Sequence, residues 1–240
     1  MTAPARRKIL VVDVGGTHIK LLVTGRRTPR KFDSGRRMTP AKMVGQIRKL
    51  TADWPYDAVS VGYPGLVVHG RIASEPYNLA AGWVGFDFRR AFKRPVKLIN
   101  DAAMQALGDY RGGRMLFLGL GTGMGSAMIV DGALEPMELG HLPYRSGKTY
   151  EDYAGLRGLQ RLGRKKWNKH VLHIIAALRA ALEPDRVILG GGNAKLLERL
   201  PDSVAIADNA KAFAGGFRLW RSSFHRRGSN PSYKFIYPHA

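Results

Sequence analysis

Six stretches of the chain place glycines, or carboxylate, hydroxyl and imidazole side chains, at spacings suited to phosphoryl and sugar chemistry. In Val12-Asp13-Val14-Gly15-Gly16-Thr17-His18-Ile19-Lys20, an apolar run ends in a carboxylate, two glycines turn the backbone, and a hydroxyl precedes a second apolar run. Glycines in a tight turn present N–H groups to an anion with no Cβ in the way. Asp13, on the lip of the turn, can hold a hard metal ion through water. The spacing is neither that of a P-loop nor G-x-G-x-x-G, and a plain hairpin accounts for the same residues. Gly119-Leu120-Gly121-Thr122-Gly123-Met124-Gly125 is a second glycine hairpin between apolar runs, with Thr122 as a hydroxyl donor. Two such hairpins facing each other can grip a phosphoryl group from both sides.

Between them, an apolar strand ends in Asn100-Asp101 and a helix begins at Ala102. Asp101 suits a helix N-cap. It also suits a general base, since ligands collect at the carboxyl ends of strands in open α/β sheets and a carboxylate there can take a sugar hydroxyl proton. Glu138 and His141, three apart, can face one ligand across a turn, and carboxylate with imidazole matches vicinal hydroxyls. Glu151 opens a helix, where an acid ordinarily answers the helix dipole. Gly190-Gly191-Gly192 joins a strand to a helix, either leaving bare backbone for a base or ribose or making a tight connection.

The elements that must position these residues alternate. Strand-like runs fall at 9–12, 19–23, 58–62, 96–99, 115–120, 126–130, 186–189 and 204–207, and helical patterns at 41–51, 102–110, 167–182 and 209–220. In the third helix Val171, Ile174, Ile175, Leu178 and Leu182 form one apolar stripe, with His170 and His173 beside it as packed or surface residues rather than ligands. The fold class is therefore α/β, with lobes expected at 1–110 and 111–223, a step at the polar segment 109–114, and a basic tail at 224–240 that includes the flexible-looking Gly228–Ser232. Helix 209–220 is expected to reach back onto the N-terminal lobe. No internal repeat stands out beyond the paired hairpins.

Composition narrows the class. Thirty-nine Lys and Arg against 18 Asp and Glu give a net charge of +21, and 45% of residues are hydrophobic, ample for a core. Zero cysteines exclude disulfides and thiolate metal sites. The chain has no 18-residue apolar run and no signal-peptide pattern, so a soluble cytoplasmic enzyme without a membrane partner is expected. The charge lies in three clusters: Arg26 to Arg37, Arg157 to Lys169, and Arg218 to Arg227. Nucleic acid is the usual partner of such a surface, then membrane, then a polyanionic substrate, with solubility as the bland explanation.

In this order the motifs resemble the ROK family of sugar kinases, and most closely its polyphosphate-using glucokinase branch, over residues 9 to 220. Asp13-Val14-Gly15-Gly16-Thr17 with Lys20 is similar to its first phosphate motif and Gly119 to Gly125 to its second. Asn100-Asp101 is similar to the catalytic segment, Glu138 to His141 to the sugar-binding one, Asn78-Leu79 with Trp83 to a segment near the sugar, and Gly190 to Gly192 to the adenosine-side turn. The resemblance implies a two-lobed actin-like ATPase (ribonuclease H-like) fold with a cleft between the lobes. Asp101 would be the general base, with Asn78, Asn100, Glu138, His141 and Glu151 around glucose. Gly15, Gly16, Thr17, Lys20, Gly121, Thr122 and Gly123 would be at the phosphoryl group, with Mg²⁺ near Asp13. Polyphosphate, ATP or both would be the donor, with Arg161, Arg164, Lys165, Lys166 and Lys169 tracking polyphosphate. A homodimer is implied. The family's cysteine-rich zinc segment after the Gly-His pair is replaced here by the short stretch 142–150, so no zinc site is expected and the His141 loop must be ordered by packing. The repressors' DNA-binding segment has no counterpart, which makes a nucleic-acid partner unlikely. An ATP-only or other hexose kinase, such as one for mannose, and a non-catalytic polyanion-binding relative are the alternatives.

Overall fold

The computed structural model describes residues 7–207 and 211–221. The expected basic tail at 224–240, with Arg226 and Arg227, lies outside the described residues, as do 209–210 of the last expected helix. Two five-stranded sheets organise the chain. The first comprises β1 (Ile9–Val14), β2 (His18–Val23), β3 (Arg30–Asp33), β4 (Ala58–Tyr63) and β7 (Val96–Asn100), in the order β3-β2-β1-β4-β7. The second comprises β8 (Arg114–Leu120), β9 (Met124–Val130), β10 (Ala133–Met137), β11 (Arg186–Gly190) and β12 (Val204–Ile206), in the order β10-β9-β8-β11-β12. A two-stranded hairpin, β5 (Val67–Val68) and β6 (Arg71–Ile72), leans beside the first sheet. In both sheets the first strand pairs antiparallel with the second and parallel with the fourth. The repeat that is silent in the sequence is thus plain in the topology.

The helices are α1 (Pro40–Leu50), α2 (Phe88–Phe92), α3 (Asp101–Asp109), α4 (Tyr150–Ala154), α5 (Leu156–Leu182) and α6 (Lys211–Arg218). Among the described residues no helix is long and apolar enough to cross a membrane. Three cores explain the continuous apolar runs, because strands covered on both faces have no polar side to show. Leu10, Val12 and Val14 of β1 pack with Met43 and Ile47 of α1, while Ile9 and Val11 face the opposite way. They meet Met115 and Phe117 of β8 in a central layer that also holds α3 and Phe213 of α6. Leu116, Leu118 and Leu120 of β8 turn outward against Trp167, Val171, Ile174 and Leu178 of α5.

The central layer requires two helices to approach very closely. A Cβ at Gly108 of α3 would overlap the Lys211 carbonyl oxygen, and one at Gly215 of α6 would overlap that of Met104. Ser60 of β4 donates from Oγ to the Gly216 carbonyl (2.7 Å) and accepts from Trp220 Nε1 (2.8 Å). The Lys211 ammonium pairs with the buried Asp109 (2.8 Å). Arg218 Nη1 donates to the carbonyls of Gly108 and Tyr110 (both 3.1 Å), satisfying the open C-terminal end of α3.

The structure corrects several expected boundaries. The helix expected from Trp167 begins at Leu156, so the second basic cluster lies on a helix that is broken at Gly163 (φ 71°, ψ 159°). The helix expected from Ala102 begins at Asp101. The helix expected from Glu151 is α4, which begins one residue earlier at Tyr150. Strands β3, β5, β6 and β10 and helix α2 were not expected.

Candidate active site

The carboxyl ends of β4 and β7 and both glycine hairpins open on one cavity of about 480 Å³. From the first hairpin Gly15 and Gly16 line it, and from the second Gly119 to Gly125, except Leu120. Asn78, Asn100, Asp101, Glu138, Glu151 and Gly191 complete most of the expected set. The expected residues Asp13, Thr17, Lys20, His141, Gly190 and Gly192 are not among those lining it.

Each hairpin keeps some N–H groups for itself. Gly15 donates to the His18 carbonyl (3.0 Å), and Gly121 to that of Gly123 (3.1 Å). Gly16 and Thr17, and likewise Thr122 and Gly123, have no protein acceptor among the described residues for theirs. Those four N–H groups are the ones available to an anion. Asn78 seats the first turn, since its Cβ would lie 3.1 Å from a Cβ on Gly16. Glu151 seats the second: its Oε2 accepts from the Met124 N–H (3.0 Å) and fills the space a Cβ on Gly123 would take.

Asn100, not Asp101, is the N-cap of α3: its Oδ1 accepts from the Ala103 N–H (3.1 Å), and its Nδ2 donates to the Gly65 carbonyl (3.1 Å). Asn100 therefore has little left for a ligand. Asp101 occupies the first helical position, with Oδ1 accepting from the Ala102 N–H (2.7 Å), which leaves its other oxygen for the cavity. Burial, then the charges of Asp13 and Glu138, push the Asp101 carboxyl up to about 7. Burial also raises Asp13, against the pull of Lys20 3.9 Å away. Glu138 is raised by burial, with His141 opposing and Glu151 adding to the shift.

His141 is exposed, and its loop is held by aromatic packing. Tyr144 meets the rings of Tyr150 and Tyr153 edge-on at 5.3 and 5.0 Å, and its hydroxyl shares a hydrogen bond with His170 Nδ1 (3.1 Å). Burial, then the neighbouring Arg145, His173 and Arg161, hold His170 below its ordinary range. Among the described residues no group of three His, Cys, Asp or Glu side chains could hold a metal ion.

The nucleotide-side glycines differ in duty. Gly190 is packed against Phe117 and Gln105, while Gly191 (φ 82°) reaches the cavity in a conformation that L side chains rarely adopt. Asn193 Nδ2 ties this turn to the Gly121 carbonyl (3.0 Å). Of the expected polyphosphate residues, Arg161 donates to the Asp152 carbonyl (3.0 Å) and Arg164 to that of Leu196 (2.9 Å). Lys165, Lys166 and Lys169 are exposed. Trp83 is fully buried, its ring tilted by 39° to that of Tyr63 at 5.5 Å between centroids.

Residues 9–146 match the description "ROK family". The chain belongs to the ROK family. Polyphosphate glucokinase of Mycobacterium tuberculosis is 29% identical over 212 residues, covering 79% of each chain. The structure of the inorganic polyphosphate/ATP-glucomannokinase of Arthrobacter sp. strain KM superposes with a TM-score of 0.77 at 26% identity, over 89% of this chain and 98% of that one. A ROK glucokinase from Streptomyces griseus, in complex with glucose and AMPPNP, shares the fold with a TM-score of 0.72 at 18% identity, over 88% and 98% of the two chains. The fold is accordingly the actin-like ATPase fold of ROK sugar kinases.

Among the lining residues of this ROK chain that sequence reasoning missed are three with polar side chains, Gln105, Arg157 and Tyr77. Gln105 stands one turn after Asp101 on α3, a spacing that carried the signal. Arg157 follows Glu151 by six residues but was hidden among other cations. Tyr77, 85% exposed, gave no signal. The double engagement of Glu151 yields an expected result. Glu151→Gln, which keeps an acceptor for Met124, unfolds like the parent but binds glucose more weakly. Glu151→Ala also strands that N–H and costs about 1–3 kcal/mol of stability. Thermal unfolding and glucose titration of both variants check this, and unaltered glucose affinity would return Glu151 to a purely structural duty.

Proposed function

We propose that this ROK-family kinase transfers a phosphoryl group from inorganic polyphosphate, with ATP as a second donor, to the 6-hydroxyl of glucose. The observation that carries the proposal is Asp101: a carboxyl pushed up to about 7, at the head of α3, in a cavity walled by two glycine hairpins. A base with that affinity takes a hydroxyl proton at neutral pH far more readily than an ordinary carboxylate. Asn78, Glu138 and Glu151 surround the sugar in this proposal, with the remaining Asn100 N–H, and His141, outside the lining, acts through Glu138. The N–H groups of Gly16, Thr17, Thr122 and Gly123 hold the phosphoryl oxygens as the O6–H proton passes to Asp101. An O6–P bond then forms and the bond from phosphorus to the rest of the donor breaks. Phosphoryl transfer asks chiefly for positioning and charge neutralisation, which backbone donors supply without reorganising.

Asp13 fits a Mg²⁺ ion bound through water: it is a carboxylate raised by burial beside the cavity, and Mg²⁺ typically takes only one or two protein carboxylates plus donor phosphates. When bound, the ion neutralises phosphate charge. The net charge of +21 and the exposed Lys165, Lys166 and Lys169 support a polyanionic donor. Gly191, whose backbone lines the same cavity, supports ATP beside it.

The test is hexose 6-phosphate formation from glucose and Mg²⁺ with long-chain polyphosphate, ATP and GTP compared across a salt series. Turnover with polyphosphate, falling with salt more steeply than turnover with ATP, is expected. Equal slopes would return the basic surface to solubility, and turnover with ATP alone would withdraw polyphosphate as donor.

A further inference from the structure

The surface and the cavity carry opposite charge. In a chain of net charge +21, the cavity is lined by Asp101, Glu138 and Glu151, with Asp13 close enough to raise Asp101 further. Among the described residues that line it, Arg157 is the one Lys or Arg. A donor phosphate entering this acidic space meets repulsion from every ionised side chain except that one.

Arg157 is also unusual among the cations of α5 in how it is held. Arg161 and Arg164 hydrogen-bond to backbone carbonyls, and Arg161 also covers the Tyr153 ring. The Arg157 guanidinium, 68% exposed, makes no hydrogen bond to a described residue. Its Nη2 stands 3.8 Å from Glu151 Oε1 and 3.6 Å from Asp152 Oδ1, inside ion-pair range but beyond hydrogen-bonding range. Two carboxylates thus keep the fork near the second hairpin while its donors stay free. Asp152 cannot take it over fully, because its carboxylate already serves the Thr149 cap of α4. Glu151 has one oxygen on Met124 and only the other facing Arg157.

We infer that Arg157 is the donor-binding cation of this site, gripping the phosphate behind the one transferred. The inference rests on the kinase reading above and adds what that reading lacks, a residue for the leaving side. When the bond from phosphorus to the donor breaks, its electron pair remains on the departing phosphate oxygen. Arg157 neutralises that charge, with a planar fork that matches two phosphate oxygens at once. Moving onto the donor also releases Glu151 Oε1 toward the sugar, so the two substrates strengthen each other's binding through one ion pair.

Equilibrium binding of tripolyphosphate, with initial rates on polyphosphate and ATP at saturating glucose, tests this in Arg157→Ala and Arg157→Lys. Arg157→Ala is expected to weaken tripolyphosphate binding and raise the donor KM by about 10- to 100-fold, the worth of one charged hydrogen-bonded contact. Arg157→Lys recovers part of the loss, since it keeps the charge without the fork. Glucose binding measured without donor does not weaken in Arg157→Ala and tightens to the extent that Glu151 Oε1 is already released, while the thermal midpoint stays at the parent value. Unchanged donor binding in Arg157→Ala overturns the inference and leaves the kinase standing. Loss of donor binding together with a lowered midpoint overturns it as well, making Arg157 a strut for α4. A parent protein that binds tripolyphosphate through Arg157 yet phosphorylates no sugar overturns the proposed function alone. One that neither binds tripolyphosphate nor phosphorylates sugar overturns both.

Discussion

Replacing Asp101 by Asn lowers turnover by at least ~10²-fold, the usual scale for a positioned base, while glucose still binds. The same substitution raises thermal stability at pH 8. Both follow from one electrostatic fact: burial and the charges of Asp13 and Glu138 make ionised Asp101 costly in the folded state. The sign of the linkage is that of a raised acid. Relative to an ordinary aspartate at 3.8, the folded protein holds this proton more tightly, so stability falls as pH rises from about 3.8 to about 7 and is level beyond. Asn carries no such charge and escapes the loss. Activity runs the other way, because only the ionised form accepts the hydroxyl proton, so parental turnover should decline as pH drops below about 7. Rates and melting curves of both proteins over pH 5 to pH 9 check this. An Asn variant that keeps near-full turnover ends the general-base assignment.

The second large effect concerns the pair of helices behind that base. Gly215→Ala is expected to destabilise by about 3 kcal/mol, the upper range for overpacking, or roughly 6–12 °C in melting temperature for a chain of this size. The new Cβ meets the Met104 carbonyl oxygen, and backbone cannot rotate aside as a side chain can. Relief requires α6 to part from α3, and α3 carries Asp101 on its first turn. Turnover should therefore fall along with stability. Gly45→Ala is the contrasting control: it lies within α1 with open space around it, so Ala gains about 0.5–1 kcal/mol through helix propensity alone. Equal melting temperatures for the two variants would contradict the close packing of α3 on α6.

How much of this was legible beforehand depended on whether the signal was local. The cores of β1, β4, β8, β9 and β11 show as apolar runs because strands covered on both faces must be apolar throughout, while β2, β7 and β12 show through shorter runs that each include an exposed position. Strand β3 is only Arg30-Lys31-Phe32-Asp33, an edge whose single large apolar residue gives no pattern, and β10 contains Pro136, which an edge strand tolerates. Helix α5 was half visible: its Trp167–Leu182 stripe is regular, but the basic run before it hides the period. In the site, residue types identified Asp101, Glu138 and Glu151 as cavity candidates, yet the division of labour at Asn100-Asp101 emerged only from the hydrogen bonds. Arg157 shows why charge clusters read poorly, since of six neighbouring cations in sequence it is the one that lines the cavity, while Arg161 and Arg164 bond backbone carbonyls and Lys165, Lys166 and Lys169 are exposed.

Gly163 divides α5 into unequal parts. Its φ of 71° and ψ of 159° fall where glycine is nearly the sole occupant, and the hydrogen-bond ladder is interrupted there. The stretch ahead of it, from Leu156, is too short to be helical by itself in water and owes its shape to its neighbours. The stretch behind it is anchored through Trp167, Val171 and Ile174. Local melting of the front part therefore costs far less than melting the rear, and its amides belong to a separate, less protected exchange unit. Any side chain at this joint would favour a straight rod over the bend. The axis would then be set by the rear half, and the front half would be carried out of register with the second hairpin.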